Sequence, residues 1–156
     1  MFLEGKAAHV CISLSHRDGV ALCTVSSESA FGCDLESVET RSSAFVSDYY
    51  TAEERALIES SGPEEHDQLA TLLWSAKEST LKALRLGLSV DTREVCVRLP
   101  NTIVTSESWP EPLPLARHRA DVLHWRPLAA SHAGTQSFDG WWRREKHLIR
   151  TIICAA

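Results

Sequence analysis

The stretch WSAKESTLK, residues 74–82, places a glutamate and two lysines on less than three turns of a predicted helix. Trp74, Glu78 and Lys82 follow one another at intervals of four residues, so they form one stripe along that helix. Taken alone, Glu78 and Lys82 fit an ordinary surface ion pair, which contributes about 0.3–0.5 kcal/mol. The pair acquires a chemical interpretation only if further charged groups lie beside it.

A second group of charges lies in GCDLE, residues 32–36, at the end of a predicted strand. Side chains two residues apart in a strand point to the same face, so Asp34 and Glu36 lie side by side. Their like charges repel, and they require a cation, a raised pKa or a solvated strand edge. The sequence up to this point leaves all three explanations open.

With Glu78, these two carboxylates form a set of hard oxygen ligands. Such a set suits Mg²⁺, which binds a few carboxylates and completes its octahedron with water and substrate phosphates. Cationic side chains near the set would then face those phosphates. They are Lys77 and Lys82 on the helix, with His16 and Arg17 at the tip of a predicted hairpin.

The elements that position these residues are mainly strands. Alternating β-rich segments and turn signals such as RDG predict strands, and these cover residues 9–16, 19–27, 30–36, 94–99 and 120–125, with a closing hairpin in WWRREKHLIRTIICA. Polar or proline-rich composition predicts irregular structure, at residues 37–48, 105–118 and 130–140.

Two helices accompany the strands. TAEE, residues 51–54, is a capping box that begins a short helix ending near residue 60. A long helix is predicted from about Glu64 to Leu86, where Gly87 stops it. We therefore expect an α+β fold: a single domain, residues 1–156, with a mostly antiparallel sheet packed on one long and one short helix.

Composition narrows the classes of partner. The net charge of −5 gives no electrostatic support for binding a nucleic acid. No segment approaches the roughly 20 apolar residues of a membrane span, and we see no signal peptide. The five cysteines are scattered, and none forms a CxxC motif. This pattern favours reduced thiols in a cytoplasmic protein.

The motifs, taken together, resemble those of the 4′-phosphopantetheinyl transferases. FGCDLE and WSAKESTLK are similar to the paired signature G-x-D-x-E and W-x-x-K-E-x-x-x-K of that family. Upstream, SLSHRDGVAL resembles the S-x-S-H hairpin of its surfactin-type branch. The three motifs occur in the family's order and with its spacing. Residues 100–140 contain no motif that we can match.

The resemblance implies transfer of the 4′-phosphopantetheine arm of coenzyme A to a serine of an acyl or peptidyl carrier protein, with release of 3′,5′-ADP. It implies that Mg²⁺ is held by Asp34, Glu36 and Glu78. Glu78 would also be the base, and Lys82 would stabilise the departing phosphate. The resemblance assigns Ser15 and His16 to coenzyme A phosphates and Lys77 to a phosphate nearby. Arg17 is a further candidate for contact with coenzyme A because of its position at the tip of the hairpin. Trp74 is assigned to packing, and Glu54 matches an acidic position near the metal.

The resemblance also has a gap. Surfactin-type members consist of two similar halves with coenzyme A between them, and only a few residues precede the SLSH hairpin here. This departure suggests either a domain of a larger synthase or a half-size enzyme that forms a dimer or trimer. The alternative function is that of a non-catalytic module that binds coenzyme A or a carrier protein.

Overall fold

The computed structural model describes residues 2–3, 6–7, 10–27, 30–100 and 125–155. Within these ranges the chain forms nine strands, three α-helices and two 3₁₀ turns. The strands are β1 Phe2–Leu3, β2 Lys6–Ala7, β3 Cys11–Arg17, β4 Val20–Ser26, β5 Phe31–Ser37, β6 Val95–Arg98, β7 Arg126–His132, β8 Gln136–Glu145 and β9 Leu148–Ala155. The helices are α1 Ser43–Tyr49, α2 Ala52–Ser60 and α3 Pro63–Ala83, and the 3₁₀ turns are Gly87–Ser89 and Thr92–Glu94.

The main sheet has five strands in the order β5-β9-β8-β7-β6, and each neighbouring pair is antiparallel. Helix α3 packs across one face of this sheet, chiefly over β5 and β9. Strands β3 and β4 form a separate antiparallel hairpin that lies against β5. The expected α+β class with a mostly antiparallel sheet is confirmed, and the structure adds one short helix, α1, to the two that were predicted.

The core lies between α3 and the sheet. Side chains of α3 that are at most 2% exposed form one core with apolar side chains of the strands beneath them. They include Ala70, Leu72, Leu73 and Leu81 from the helix, with Val95, Ile149 and Ile153 from the sheet. Because this face of α3 is buried from Ala70 to Ala83, the rotation of the helix about its axis is fixed.

The end of α3 is set by a backbone motif. Arg85 takes a left-handed conformation with φ of +59°, and the Leu86 amide donates to the Leu81 carbonyl at 3.0 Å. This 6→1 hydrogen bond is that of a Schellman motif, which ends a helix one residue before the left-handed position. The predicted end at Leu86 is therefore wrong by three residues, and Gly87 belongs to the following 3₁₀ turn.

Several local predictions are confirmed. The hairpin turns at Asp18 and Gly19, both with positive φ. The third strand occupies residues 31–37, and TAEE forms a complete capping box in which Thr51 and Glu54 satisfy each other's backbone amides. These features depend on a few adjacent residues, so local sequence suffices to predict them.

Two segments predicted to be irregular are regular. Residues 37–48 contain most of α1, which begins where the Ser42 hydroxyl accepts a hydrogen bond from the Phe45 amide at 3.1 Å. Residues 130–140 contain the end of β7, a tight turn and the start of β8. Their small and polar residues face solvent on one side of this hairpin, which hides the alternation that predicts a strand.

Other predictions fall partly outside the described residues. The predicted strand at 120–125 and the predicted loop at 105–118 lie there, apart from Trp125, which precedes β7. The five cysteines are all free, as expected. Among the helices that the structure describes, none is both long and apolar enough to cross a membrane.

Candidate active site

The three carboxylates singled out in the sequence meet between β5 and α3. Asp34 and Glu36 project from the face of β5 that α3 covers, and Glu78 projects from α3 toward them. One carboxylate oxygen from each of the three residues lies within 4.8 Å of the other two. Residues separated by more than forty positions in the chain are thus brought together, as the sequence predicted.

The close approach of α3 to β5 depends on Gly32. A Cβ atom at this position would lie 1.7 Å from the Ser79 carbonyl oxygen and 2.7 Å from the Ala83 amide nitrogen. Both neighbours are backbone atoms of the helix, which cannot move aside separately. The glycine of GCDLE therefore allows the helix to lie directly on the strand, and this contact carries Glu78 to Asp34.

A group of buried hydroxyls holds α3 in register on the sheet. The Thr151 hydroxyl on β9 is 2.9 Å from the Ser75 hydroxyl and 2.7 Å from the Ser79 hydroxyl, and it donates to the Ser75 carbonyl at 3.0 Å. Thr151 is also the strand partner of Asp34. The same β9 residue thus fixes the position of the helix and lies beside the first carboxylate.

Lys82 connects the strand and the helix at the site. Its Nζ donates to Asp34 Oδ1 at 2.7 Å and to the Cys33 carbonyl at 3.2 Å, and it is 3.7 Å from Glu78 Oε2. The Lys82 side chain is 30% exposed, so its charge is partly available to an approaching anion. Lys82 is therefore more than the surface partner of Glu78.

Two carboxylate oxygens of the cluster lack hydrogen-bond donors. Asp34 Oδ2 and Glu36 Oε2 are buried without a hydrogen bond, although Asp34 is only 1% exposed. A buried anionic oxygen that lacks a donor is costly unless a cation reaches it. For Glu36 Oε2, the guanidinium groups of Arg17 and Arg41 supply part of that charge from 3.8 Å and 3.7 Å. Two acidic side chains with such oxygens beside a third carboxylate match the ligands that Mg²⁺ prefers, so the residues fit the ion that the motifs imply.

The protonation of the cluster reflects its burial. Burial raises the pKa of Glu78 to about 7, and the Asp34 charge adds to this effect while Lys82 opposes it. Burial also raises the pKa of Glu36, again with a contribution from Asp34. In the metal-free protein Glu78 therefore keeps its proton up to nearly neutral pH, so the cluster avoids a third negative charge.

The hairpin residues divide between two faces. Ser15 and Arg17 face β5, where the Ser15 hydroxyl donates to Asp34 Oδ1 at 2.9 Å and the Arg17 guanidinium is 3.8 Å from Glu36 Oε2. His16 lies between them in sequence and is exposed on the opposite face of the hairpin. The structure therefore brings Ser15 and Arg17 to the carboxylates and leaves His16 away from them.

Arg41 is a residue of this region that the sequence analysis missed. Its guanidinium is 3.7 Å from Glu36 Oε2 and 2.8 Å from Glu39 Oε1, and it lies over the Phe45 ring. Its side chain is 14% exposed, and its Nε has no hydrogen-bond partner. Only the placement of a basic residue just after the acidic strand hints at this contact, which no motif marks.

Lys77 does not reach the site, so the prediction that it contacts a phosphate is wrong. Its side chain is 0% exposed, and Nζ is 2.8 Å from Glu54 Oε2 while donating to the Thr92 and Val95 carbonyls. Glu54 is itself 1% exposed, and its other oxygen accepts from the Val97 amide. Both side chains are fully engaged with each other and with β6, so neither lies with the carboxylate cluster.

Trp74 has the packing role that the sequence predicted. It is 7% exposed and belongs to the core, where its ring makes edge contacts with Phe45 and Tyr49 of α1. These contacts join α1 to the middle of α3. The first residue of the stripe thus anchors the helix, and the other two, Glu78 and Lys82, form part of the acidic site.

A family model for the 4′-phosphopantetheinyl transferase superfamily matches residues 30–135 of this chain. The matched region spans more than half of the 156 residues and contains Asp34, Glu36, Glu78 and Lys82. The chain belongs to that superfamily. None of the curated proteins matches it significantly. Membership of the superfamily supports phosphopantetheine transfer in general as the activity of this phosphopantetheinyl transferase superfamily member.

Proposed function

We propose that this protein transfers the 4′-phosphopantetheine arm of coenzyme A to a serine of an acyl or peptidyl carrier protein. A bond forms between the serine oxygen and the phosphorus that carries the pantetheine, and the bond to 3′,5′-ADP breaks. The observation that carries the proposal is the meeting of three carboxylates, with a buried oxygen that lacks a donor, beside Lys82 at the positions of the superfamily's motifs.

We propose Asp34, Glu36 and Glu78 as the residues that hold Mg²⁺. When bound, Mg²⁺ supplies positive charge opposite the oxygens on which negative charge develops during phosphoryl transfer. The pairs that Glu36 makes with Arg17 and Arg41 limit its repulsion from Asp34. These ion pairs help the three carboxylates to lie close together, although Asp34 Oδ2 and Glu36 Oε2 accept no hydrogen bond.

Glu78 is the group that we propose takes the proton of the carrier serine. A general base works best when its pKa lies near the working pH, and burial places that of Glu78 at about 7 in the metal-free protein. Its side chain is 20% exposed, so a hydroxyl can approach it from solvent. Neither Asp34, which is 1% exposed, nor the enclosed Glu54 offers the same access.

Lys82 and Arg17 are the cations that we propose face the phosphates of coenzyme A. Their side chains are 30% and 39% exposed, and both lie beside the carboxylate cluster. Each already pairs with acidic residues of the site, and its exposed fraction leaves the side chain partly accessible to an anion. His16 contributes only if coenzyme A extends to the outer face of the hairpin.

That outer face supports a proposal about assembly. Ile12, Leu14 and Val25 are 41%, 64% and 64% exposed there, and His16 continues the same face. Apolar patches of this kind commonly mark an interface. We propose that a second copy of the chain covers this face, giving a dimer or trimer with coenzyme A near the contact, although a neighbouring domain of a larger synthase would serve equally.

Light scattering across a dilution series, with and without coenzyme A and Mg²⁺, tests the assembly. We expect association that strengthens when both are present, because binding at a subunit contact is coupled to association. A strictly monomeric chain that transfers the arm at full rate would show that the second copy is dispensable.

The function itself is tested by mass spectrometry of a panel of apo carrier proteins incubated with the chain, coenzyme A and Mg²⁺. We expect the mass of one phosphopantetheine arm on at least one carrier, and none when Asp34→Asn replaces the parent chain. Binding of coenzyme A or of a carrier without transfer would support the alternative, a non-catalytic binding module. The reduced cysteines fit a cytoplasmic setting for either function.

A further inference from the structure

The contact between the hairpin and β5 is made by serine side chains. β5 pairs with β9 along one edge, so alternate amides on its other edge need partners. The Ser13 hydroxyl accepts from the Cys33 amide at 2.9 Å, and the Ser15 hydroxyl accepts from the Leu35 amide at 3.2 Å. The spacing of two between the serines matches the spacing of two between the amides.

Ser15 makes one further bond, and this bond reaches the carboxylate cluster. Its hydroxyl donates to Asp34 Oδ1 at 2.9 Å. A serine hydroxyl has one proton, so this donation uses it completely. In the described part of the chain Ser13 has the same contact with a strand amide but no bond to a carboxylate. The two serines therefore share one role, and Ser15 alone has a second.

The two oxygens of Asp34 therefore differ in the hydrogen bonds that they accept. Oδ1 receives the Ser15 hydroxyl at 2.9 Å and the Lys82 ammonium at 2.7 Å. Oδ2 is buried and receives no hydrogen bond. Two donors from opposite elements, the hairpin and α3, fix the carboxylate plane and leave Oδ2 as the oxygen available to a cation.

We propose that Ser15 is a positioning residue that orients Asp34 for the metal, instead of a ligand of a coenzyme A phosphate as the motif resemblance implies. A phosphate could accept from Ser15 only by displacing Asp34 Oδ1. This inference rests on the proposed Mg²⁺ site but concerns a separate step, the holding of its buried ligand. Residues that orient metal ligands commonly change metal affinity by about 10–100-fold when removed.

The test uses direct binding of Mn²⁺, followed by electron paramagnetic resonance, to the full chain without coenzyme A. We expect Ser15→Ala to weaken Mn²⁺ binding by about 10–100-fold. Ser15→Thr keeps the hydroxyl and suits a strand, so it should restore most of the affinity. Ser13→Ala is the matched control, because it removes an equivalent contact with a β5 amide and should bind Mn²⁺ as the parent does.

Thermal unfolding separates positioning from loss of the hairpin contact. Each alanine variant leaves one strand amide without its acceptor, so similar losses of melting temperature are expected for both. Equal losses of Mn²⁺ affinity in Ser13→Ala and Ser15→Ala would overturn the inference, because docking of the hairpin would then be what matters. A parent chain that binds no Mn²⁺ would overturn it as well.

Kinetics with coenzyme A distinguish the two roles of Ser15. A positioning role predicts that Ser15→Ala raises the Mg²⁺ concentration required for half-maximal transfer and leaves the KM for coenzyme A nearly unchanged at saturating Mg²⁺. A raised KM with unchanged Mn²⁺ binding would make Ser15 a phosphate ligand. If Mn²⁺ binding follows our expectation while no carrier protein is modified by the parent, the proposed function fails and the positioning role stands.

Discussion

Two clusters of carboxylate and lysine lie along α3, and they differ in how completely their polar atoms are paired. In the first, Glu54 and Lys77 are almost wholly buried, and Glu54 also accepts from the Thr51 and Val97 amides. In the second, Asp34 meets Lys82, which is 30% exposed. There one Asp34 oxygen is buried without a donor, and the pKa of the nearby Glu78 is raised to about 7.

The difference shows how the same residue types serve structure in one place and chemistry in another. The Glu54 and Lys77 pair, which we term the closed cluster, joins α2, α3 and β6 and has no group left to offer a ligand. The cluster of Asp34, Glu36, Glu78 and Lys82, which we term the open cluster, has buried oxygens that accept no hydrogen bond and a partly exposed cation. Completeness of pairing therefore indicates which cluster has a function beyond stability.

The largest expected effect is on transfer by variants of the open cluster. Asp34→Asn and Glu78→Gln should each lower the rate of arm transfer by about 10³-fold or more, because each removes a charge that holds the metal opposite the transferring phosphoryl group. In the absence of Mg²⁺ and at pH 8, where Glu78 is ionised, both should unfold at a temperature no lower than the parent, since removing one of three like charges relieves repulsion.

Transfer rates and melting temperatures in chelator check this expectation. A variant that melts far below the parent and keeps most of its activity would mean that the open cluster is structural, and the contrast between the two clusters would then fail.

The next effect is on stability, and it compares two lysines five residues apart. Lys77→Met leaves Glu54 buried without its cation, and breaking a buried pair in this way typically costs about 3–5 kcal/mol of unfolding free energy. Lys82→Met is the matched control, since Asp34 keeps its bond to Ser15 and lies beside partly exposed groups. We expect Lys82→Met to lose less stability than Lys77→Met and to lose most of its transfer activity.

Urea unfolding monitored by tryptophan fluorescence measures both variants. Equal losses of unfolding free energy for the two lysines would contradict the distinction between the clusters. Replacing Glu54 as well, in Lys77→Met with Glu54→Gln, should recover part of the loss, because the uncompensated buried charge is gone.

A smaller effect is the stabilisation of the folded chain by metal. A ligand that binds only the folded state stabilises it by about 2.7 kcal/mol at 100 times its Kd. Mg²⁺ and Mn²⁺ should therefore raise the melting temperature of the parent, and Asp34→Asn should abolish the rise. Asp139→Asn, on the exposed surface of β8, is the control and should keep it.

The same ions should support transfer, and Ca²⁺ should support it poorly, because Ca²⁺ favours larger and less regular coordination. If the metal still raises the melting temperature of Asp34→Asn, the metal does not bind at the proposed site. Full transfer after exhaustive chelation would show that transfer needs no metal.

The sequence was sufficient for the open cluster because its members lie in short motifs at fixed positions. Period two in β5 and period four in α3 predict which side chains share a face, and Gly32 explains how the two faces meet. The sequence was not sufficient for Arg41, whose contact with Glu36 depends on the path of the chain after β5. Nor did it predict that Ser13 and Ser15 replace strand pairing at the edge of β5.

Lys77 was misassigned although helical geometry contains the signal. It falls on the stripe of Ala70, Leu73 and Leu81, which are at most 1% exposed, and not on the stripe of Glu78 and Lys82. A lysine among buried apolar positions predicts a buried ion pair, and the motif match obscured that pattern. Helix α1 was missed in a similar way, since Ser42 is an ordinary N-cap in a segment interpreted from its polarity.

The smallest expected effect is on the pH dependence of stability in the metal-free protein. Burial raises the pKa of Glu78 from 4.5 to about 7, so the folded chain retains a proton that the unfolded chain has released across this window. Since the folded state binds more protons there, the free energy of unfolding should fall as the pH rises from about 4.5 to about 7.

Glu78→Gln cannot ionise, so it should be close to the parent near pH 4.5 and more stable than the parent at pH 8. Asp139→Asn, on the exposed surface of β8, is the control and should keep the slope of the parent. Saturating Mg²⁺ should reduce that slope by favouring the ionised carboxylates. Urea unfolding of the three proteins across this range measures the effect, and an identical pH profile for the parent and Glu78→Gln would show that the Glu78 carboxyl is not held near neutrality by its surroundings.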